Sequence, residues 1–221
     1  MGKKKNKRDG FFSSIPLSAK KILDVGCANG NWVNRLGKRE LEVIGIERDE
    51  KLCAQASRNL RKVFLADVEK FDLPFPERYF DCILYADVLE HLQDPQALLQ
   101  KHIRYLKEDG CAIASIPNIR YYKVILRLVL GGVWDYIESG LLDKTHLRFF
   151  TLLNTKELFA NAGYKIVEVR RNIIAASGFK ILNFLCFNKL KEFLVYQYYI
   201  KAIKQKDGTS LSFAKRKIIQ F

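Results

Sequence analysis

A doubly wound α/β domain with a parallel sheet is what these 221 residues predict, on three observations. Short apolar runs alternate with helix-length stretches through the middle of the chain. One run, "YFDCILYAD", is apolar enough to be covered on both faces, as strands of a parallel sheet are. Another, "KILDVGC", passes into a turn of glycine, alanine and asparagine, "GCANGN", which opens a helix. That is the layout of a loop that holds a nucleotide-like ligand at the carboxyl end of a sheet.

The elements follow in order. "KILDVGC" is the first strand, and a helix is expected over 31–38. "LEVIGIE" is the second strand, after which Asp49 suits the N-cap of a helix reaching Asn59. "RKVFLAD" and "YFDCILYAD" are the third and fourth strands. Asp94 and Pro95 read as an N-cap followed by proline at the first helical position, opening a helix through "QALLQKHIRYLKE" that stops near Gly110. "CAIASIPN" is the fifth strand. Residues 119–151 break the rhythm with an apolar helical piece, "RYYKVILRLVLGGVW", and then "DYIESGLLDKTHLRFFT". An insertion after a core strand is where a substrate lid sits. A helix over 154–162, a stop at Gly163, the strand "YKIVEVRR" and a last strand, "FLVYQYYIKAI", complete the unit.

Composition bounds the function. Hydrophobic residues make up 48%, enough for a sizeable core. The net charge of +14 resides in the ends: residues 1–21 carry seven Lys/Arg and one acid, residues 165–221 carry twelve and three, and the middle is close to neutral. Such ends are solubilising tails or contacts for an anionic membrane surface, nucleic acid or an acidic partner. Five cysteines, an odd number with no C-x-x-C pair, suggest neither a disulfide framework nor a zinc knuckle and fit a reducing cytoplasm. No signal-peptide core, myristoylation pattern or run long enough to span a membrane is evident.

The turn after the first strand is not a dinucleotide or phosphate loop. Counting from Gly26, the second and third glycines of G-x-G-x-x-G are Ala28 and Asn31, and no Lys-Ser/Thr closes a P-loop. Asp24 also sets a carboxylate where a phosphate would rest. Glu47, Asp67 and Asp87 end the next three strands, so a parallel sheet lines four carboxylates along one edge. A ligand with cationic groups suits that edge. Glu47, 23 residues beyond Asp24, is placed to grip ribose hydroxyls, and Asp67 an adenine amino group.

"ILDVGCANG", "VIGIE", "LADVEKFDLPFP", "FDCILYADVLEHLQDP" and "LKEDGCAIASIPN", in order over about residues 20–118, resemble the successive motifs of class I S-adenosylmethionine-dependent methyltransferases. The resemblance implies a Rossmann-like sheet, mostly parallel with an antiparallel last strand and helices on both faces. It implies S-adenosylmethionine as cofactor, and no metal is expected. Asp24, Gly26 and Gly30 would shape the methionine end, Glu47 would bind the ribose, Asp67 and Val68 would border the adenine, and Cys27, Ala28 and Asp87 are also expected at the cofactor. Ala28 departs from the glycine common at its position, and is tolerated unless the backbone there needs a positive φ.

Methyl transfer from a sulfonium needs alignment and exclusion of water, with a base only where the acceptor must lose a proton. His91, just past the fourth strand, and His146, in the lid beside Asp143 and Arg148, are the candidate bases; a supporting structural role is the alternative for His91. His102 is expected to face outward without a role. The stretch 115–164 also resembles a bacterial subgroup associated with glycan or secondary-metabolite assembly, and the methionine-biosynthesis accessory proteins of the same superfamily. The expected organisation is a basic tail over 1–19, the methyltransferase domain over 20–204 with its lid at 119–151, and a basic tail over 205–221. The expected activity is methylation of an O or N atom of a small-molecule acceptor, such as a sugar or lipid-linked intermediate, in the cytoplasm or at the inner face of the membrane. The apolar lid helix, with Lys123 and Arg127 four apart, is either packed over the pocket, part of a homodimer contact, or laid in a membrane interface. An RNA methyltransferase and a non-catalytic partner protein are the competing functions, the first weakened by the lack of an Asn/Asp-Pro-Pro-aromatic turn and of any RNA module.

Overall fold

The computed structural model describes residues 9–37 and 39–205. Seven strands form one sheet: β1 (Lys21–Val25), β2 (Glu42–Glu47), β3 (Lys62–Leu65), β4 (Phe80–Ala86), β5 (Leu106–Pro117), β6 (Tyr164–Ile173) and β7 (Val195–Lys204), in the order β3-β2-β1-β4-β5-β7-β6. β1 to β5 pair in parallel, while β7 runs antiparallel to both β5 and β6. The order reverses between β1 and β4, the switch point at which open α/β sheets take their ligands. The expected sheet, with its antiparallel last strand, is the one observed.

Helices α1 (Asp9–Phe12), α2 (Glu50–Ala56), α3 (Pro95–Ile103), α4 (Tyr122–Gly131), α5 (Leu152–Asn161), α6 (Ser177–Leu185) and α7 (Lys191–Leu194) connect and flank the strands. Alternation along β1 feeds two cores. Leu23 and Val25 join the layer that holds Leu98 and Leu99 of α3 and Phe159 of α5; Ile22 joins the opposite layer with Phe11, Trp32 and Ala56 of α2. The caps read from sequence are in place: Asp49 accepts from Leu52 N–H and Asp94 from Ala97 N–H, both at 2.9 Å. Tyr121, Tyr122, Leu141 and Leu142, all in the insertion over 119–151, make a third, smaller core.

Four expectations change. The helix expected at 31–38 is a single 3₁₀ turn, Asn31–Arg35, because Asn, Trp and Val are weak helix formers and no side chain caps it. The helix from Pro95 stops at Ile103, since the strand begins at Leu106 rather than Cys111. His102 faces inward: it is 0% exposed and its Nδ1 lies 3.1 Å from the Tyr85 hydroxyl. The tail expected over 1–19 is part of the fold from Asp9 onward, with Phe11 edge-on to Tyr199 and Phe12 stacked on Trp32 at 4.8 Å; a run with three large apolar residues, Phe11, Phe12 and Ile15, buries rather than dangles. Residues 1–8 and 206–221, which hold most of the expected tail charges, lie outside the described residues.

Candidate active site

A cleft of about 340 Å³, the scale of a small-ligand pocket, opens at the carboxyl ends of β1, β2, β3 and β4. Gly26, Glu47, Asp67, Val68, Asp87 and His91 all line it, so six of the eleven residues singled out from sequence meet in one place. Glu47 ends β2, Asp67 follows β3 by two residues, and Asp87 follows β4 directly.

The turn after β1 is built around Glu47. Its Oε2 accepts from the Ala28 N–H at 2.8 Å, and its Oε1 from Arg48 N–H at 2.8 Å and Asp49 N–H at 2.9 Å. Three charge-assisted bonds fix the carboxylate at the cleft wall and clamp the turn to β2. Gly26 has φ +65°, and a Cβ there would stand 2.7 Å from a Val88 methyl, so only glycine fits between turn and cleft. Ala28 has φ +49°, the left-handed conformation that would make glycine the easier residue at that position.

Asp24, Cys27, Ala28 and Gly30 do not line the cleft. Asp24 shares the face of β1 with Ile22, is 1% exposed, and accepts from the Trp32 indole N–H at 2.6 Å, so it braces the turn from behind. The Cys27 side chain packs in the core against Gly45, and burial, with Asp24 and Glu47 near, pushes its thiol well up and out of reach as a nucleophile. Gly30, φ +66°, starts the 3₁₀ turn with Leu60 close against it.

Asp87 is held in the left-handed region, φ +58°, by long-range partners. Its Oδ1 accepts from the Ser115 hydroxyl at 2.6 Å and from the Gln197 amide, which joins the ends of β4, β5 and β7. Opposite, Glu69 accepts from the N–H groups of Gln93 (3.2 Å) and Asp94 (2.8 Å), closing one side of the cleft. Neither Glu69, Ser115 nor Gln197 stands out in the sequence.

The insertion after β5 reaches the cleft through Thr145 and Leu147. It is pinned by Leu147 and Arg148, whose N–H groups both donate to the Glu90 carbonyl at 2.9 and 3.0 Å. The His91 Nδ1 faces the Thr145 carbonyl at 3.1 Å and the Thr145 hydroxyl at 3.0 Å, and that hydroxyl gives its own proton to Asp143. Both neighbours of Nδ1 therefore accept, so Nδ1 carries the proton and Nε2 is the basic nitrogen of neutral His91. His146 does not line the cleft. It stands edge-on behind His91, ring centroids 4.7 Å apart, with Nδ1 3.2 Å from the Leu141 carbonyl. Burial, and then the neighbouring His91, hold its imidazole below the ordinary value. Glu90, His91 and His146 offer ligand atoms within 4.8 Å of one another, the one group of this kind among the described residues.

S-adenosylmethionine fits this donor set. Carboxylates at the ends of β2, β3 and β4 suit hydroxyls, an amino group and positive charge, and the Cβ-free approach at Gly26 suits a ligand lying against the backbone.

Comparison with known proteins agrees. Residues 6–169 match the family described as "Methyltransferase domain". The chain is 28% identical over 161 residues to a ubiquinone biosynthesis O-methyltransferase of Azoarcus sp., covering 69% of this chain and 67% of that one. It is 29% identical over 168 residues to a demethylmenaquinone methyltransferase of Staphylococcus carnosus, covering 68% and 70%. In fold it is similar to a SAM-dependent methyltransferase from Archaeoglobus fulgidus, with TM-score 0.66 and 16% identity over 87% of this chain and 90% of that one. Motifs, sheet order and family match converge: the chain belongs to the class I S-adenosylmethionine-dependent methyltransferases, with S-adenosylmethionine as its cofactor.

Proposed function

We propose that the enzyme methylates an oxygen or nitrogen atom of a small-molecule acceptor with an apolar, lipid-like body. The observation that carries this reading is the meeting, in one cleft, of three strand-end carboxylates, a histidine of defined tautomer and an apolar lid. The names of the relatives, which concern ubiquinone and menaquinone, support an acceptor of this class over a free sugar.

When bound, S-adenosylmethionine supplies a methyl group activated by a sulfonium. Glu47 is assigned to the ribose hydroxyls, Asp67 and Val68 to the adenine, Gly26 to close backbone approach, and Asp87 to the end of the cleft nearest His91. Glu47 and Asp87, each fixed by backbone or side-chain partners, hold these positions without rearranging. His91 Nε2 would take the proton that the acceptor hydroxyl or amine must lose on methylation. Thr145 and Asp143 keep that nitrogen basic by fixing the proton on Nδ1, and His146 braces the ring; we assign it a positioning role. Leu147 and the lid exclude water from the site.

The test is transfer of labelled methyl from S-adenosylmethionine to paired acceptors, a catechol with and without a short isoprenoid tail, beside a free sugar. A gain in kcat/KM of tenfold or more from the tail is expected. Preference for the sugar, or no transfer to any acceptor by protein that binds the cofactor, overturns the reading. A second reading of acceptor activation rests on the carboxylate–imidazole group of Glu90, His91 and His146: a divalent cation there would polarise the acceptor oxygen. Calorimetric titration with Mg²⁺ and Zn²⁺, beside activity in EDTA, separates the two. Full activity under chelation supports the base.

A further inference from the structure

We infer that the exposed apolar face of α4 and α6 docks on an anionic lipid bilayer and delivers the acceptor from it. Helix α4 is rooted by Tyr121, Tyr122 and Val124 but leaves its second half bare: Val129 is 71% and Leu130 79% exposed. Helix α6 does the same with Phe184 at 74%, and the turn after it with Phe187 at 87%. The two helices share one base, since the Tyr122 and Phe179 rings pack at 4.1 Å in the third core. Large apolar side chains grouped this way mark a surface made to be covered.

Charge and residue type point to a bilayer as the cover. Lys123 is exposed on α4, Arg127 beside it is paired with Asp135, and residues 174–191 contain three lysines and no acid. Lysine and arginine around a bare apolar face are the pattern of helices that lie in an anionic lipid interface. Trp134 and Tyr136, residue types that settle at headgroup depth, follow α4 and both pack against Phe149. At ten residues α4 is about 15 Å long, and no helix among the described residues is long and apolar enough to cross a membrane. The contact is therefore one of lying on the surface.

An aromatic row connects that face to the chemistry. Trp134 packs edge-on against Phe149 at 5.2 Å, Phe149 meets His146 at 6.3 Å, and His146 meets His91 at 4.7 Å. An acceptor whose head reaches His91 can keep its apolar body along this row and its tail in the lipid. The inference extends the proposed function, yet its test contains neither acceptor nor cofactor, so docking and methyl transfer fail separately.

The full chain is floated with vesicles of phosphatidylcholine alone and of phosphatidylcholine with 30% phosphatidylglycerol, at low and at 0.5 M salt. Co-flotation with the anionic vesicles is expected, weakened by salt, and reduced at least tenfold in Leu130→Glu/Phe184→Glu. Both positions are exposed, so the variant's melting temperature should match the wild type. On the unaltered protein, vesicles with brominated acyl chains should quench Trp134 emission, read as the change lost in Trp134→Phe. Absence of flotation at low salt overturns the inference. So does flotation unaffected by the double substitution, which would put the contact in the basic ends, or a dimer in light scattering that the double substitution dissociates, which would make the face a self-interface.

Discussion

His102 gives the fold a built-in sensitivity to acid, and its size can be worked out. The imidazole lies between α3 and β4, 0% exposed, with Nδ1 against the Tyr85 hydroxyl and Nε2 without a hydrogen-bond partner. Burial, with Lys101 and Arg104 nearby, brings its pKa down to about 3, against an ordinary value of about 6.5. The sign follows from where the proton binds. The unfolded chain takes up a proton the folded chain refuses, so this stability is complete above roughly pH 6.5 and is withdrawn as pH falls toward about 3. At pH 5 the withdrawn part is about 2 kcal/mol. Ordinary carboxylates titrate at about 4, below pH 5, and His146, also lowered, adds a change of the same sign. Urea unfolding of the wild type and His102→Gln at pH 7.5 and 5.0 measures the effect. The wild type should lose about 2 kcal/mol more than the variant over that interval. Equal losses, or a His102 resonance titrating near pH 6.5, would refute the buried neutral histidine.

Other outcomes follow from the same geometry. Ala28→Gly, at φ +49°, should raise stability by about 1 kcal/mol in urea unfolding, and no gain would mean that the turn relaxes without strain. Trp32→Phe removes the indole bond to the buried Asp24 carboxylate and should cost about 2 kcal/mol, with a weaker cofactor titration because the turn loses its brace. His91→Asn should lower kcat by about 10²- to 10⁴-fold with little change in cofactor affinity; a loss confined to KM would assign His91 to acceptor binding.

Much of the site was legible because its signals are local. An acid at the end of each apolar run gave Glu47, Asp67 and Asp87 their shared edge, and the Asp-Pro pair placed α3. The two-residue period of β1 also held the answer for Asp24, which falls on the face of Ile22 and so points into the core layer beside Trp32 rather than at the ligand. The partners of Asp87 were not legible. Ser115 lies 28 residues and Gln197 110 residues away, and only the pairing of β5 with β7 brings them together. His102 misled because lysine and arginine around it suggest a solvated helix end, whereas Tyr85 and Tyr105 enclose it. The N-terminal basic run concealed Phe11 and Phe12, whose burial depends on Tyr199 and Trp32 from distant elements.

The most direct test of the carboxylate edge is calorimetric titration of S-adenosylhomocysteine into the wild type and into Glu47→Gln, which keeps one acceptor oxygen for the turn. One site on the wild type and at least a tenfold weaker site on the folded variant, about 1.4 kcal/mol, is the predicted result. Equal affinity for the two proteins would contradict the account.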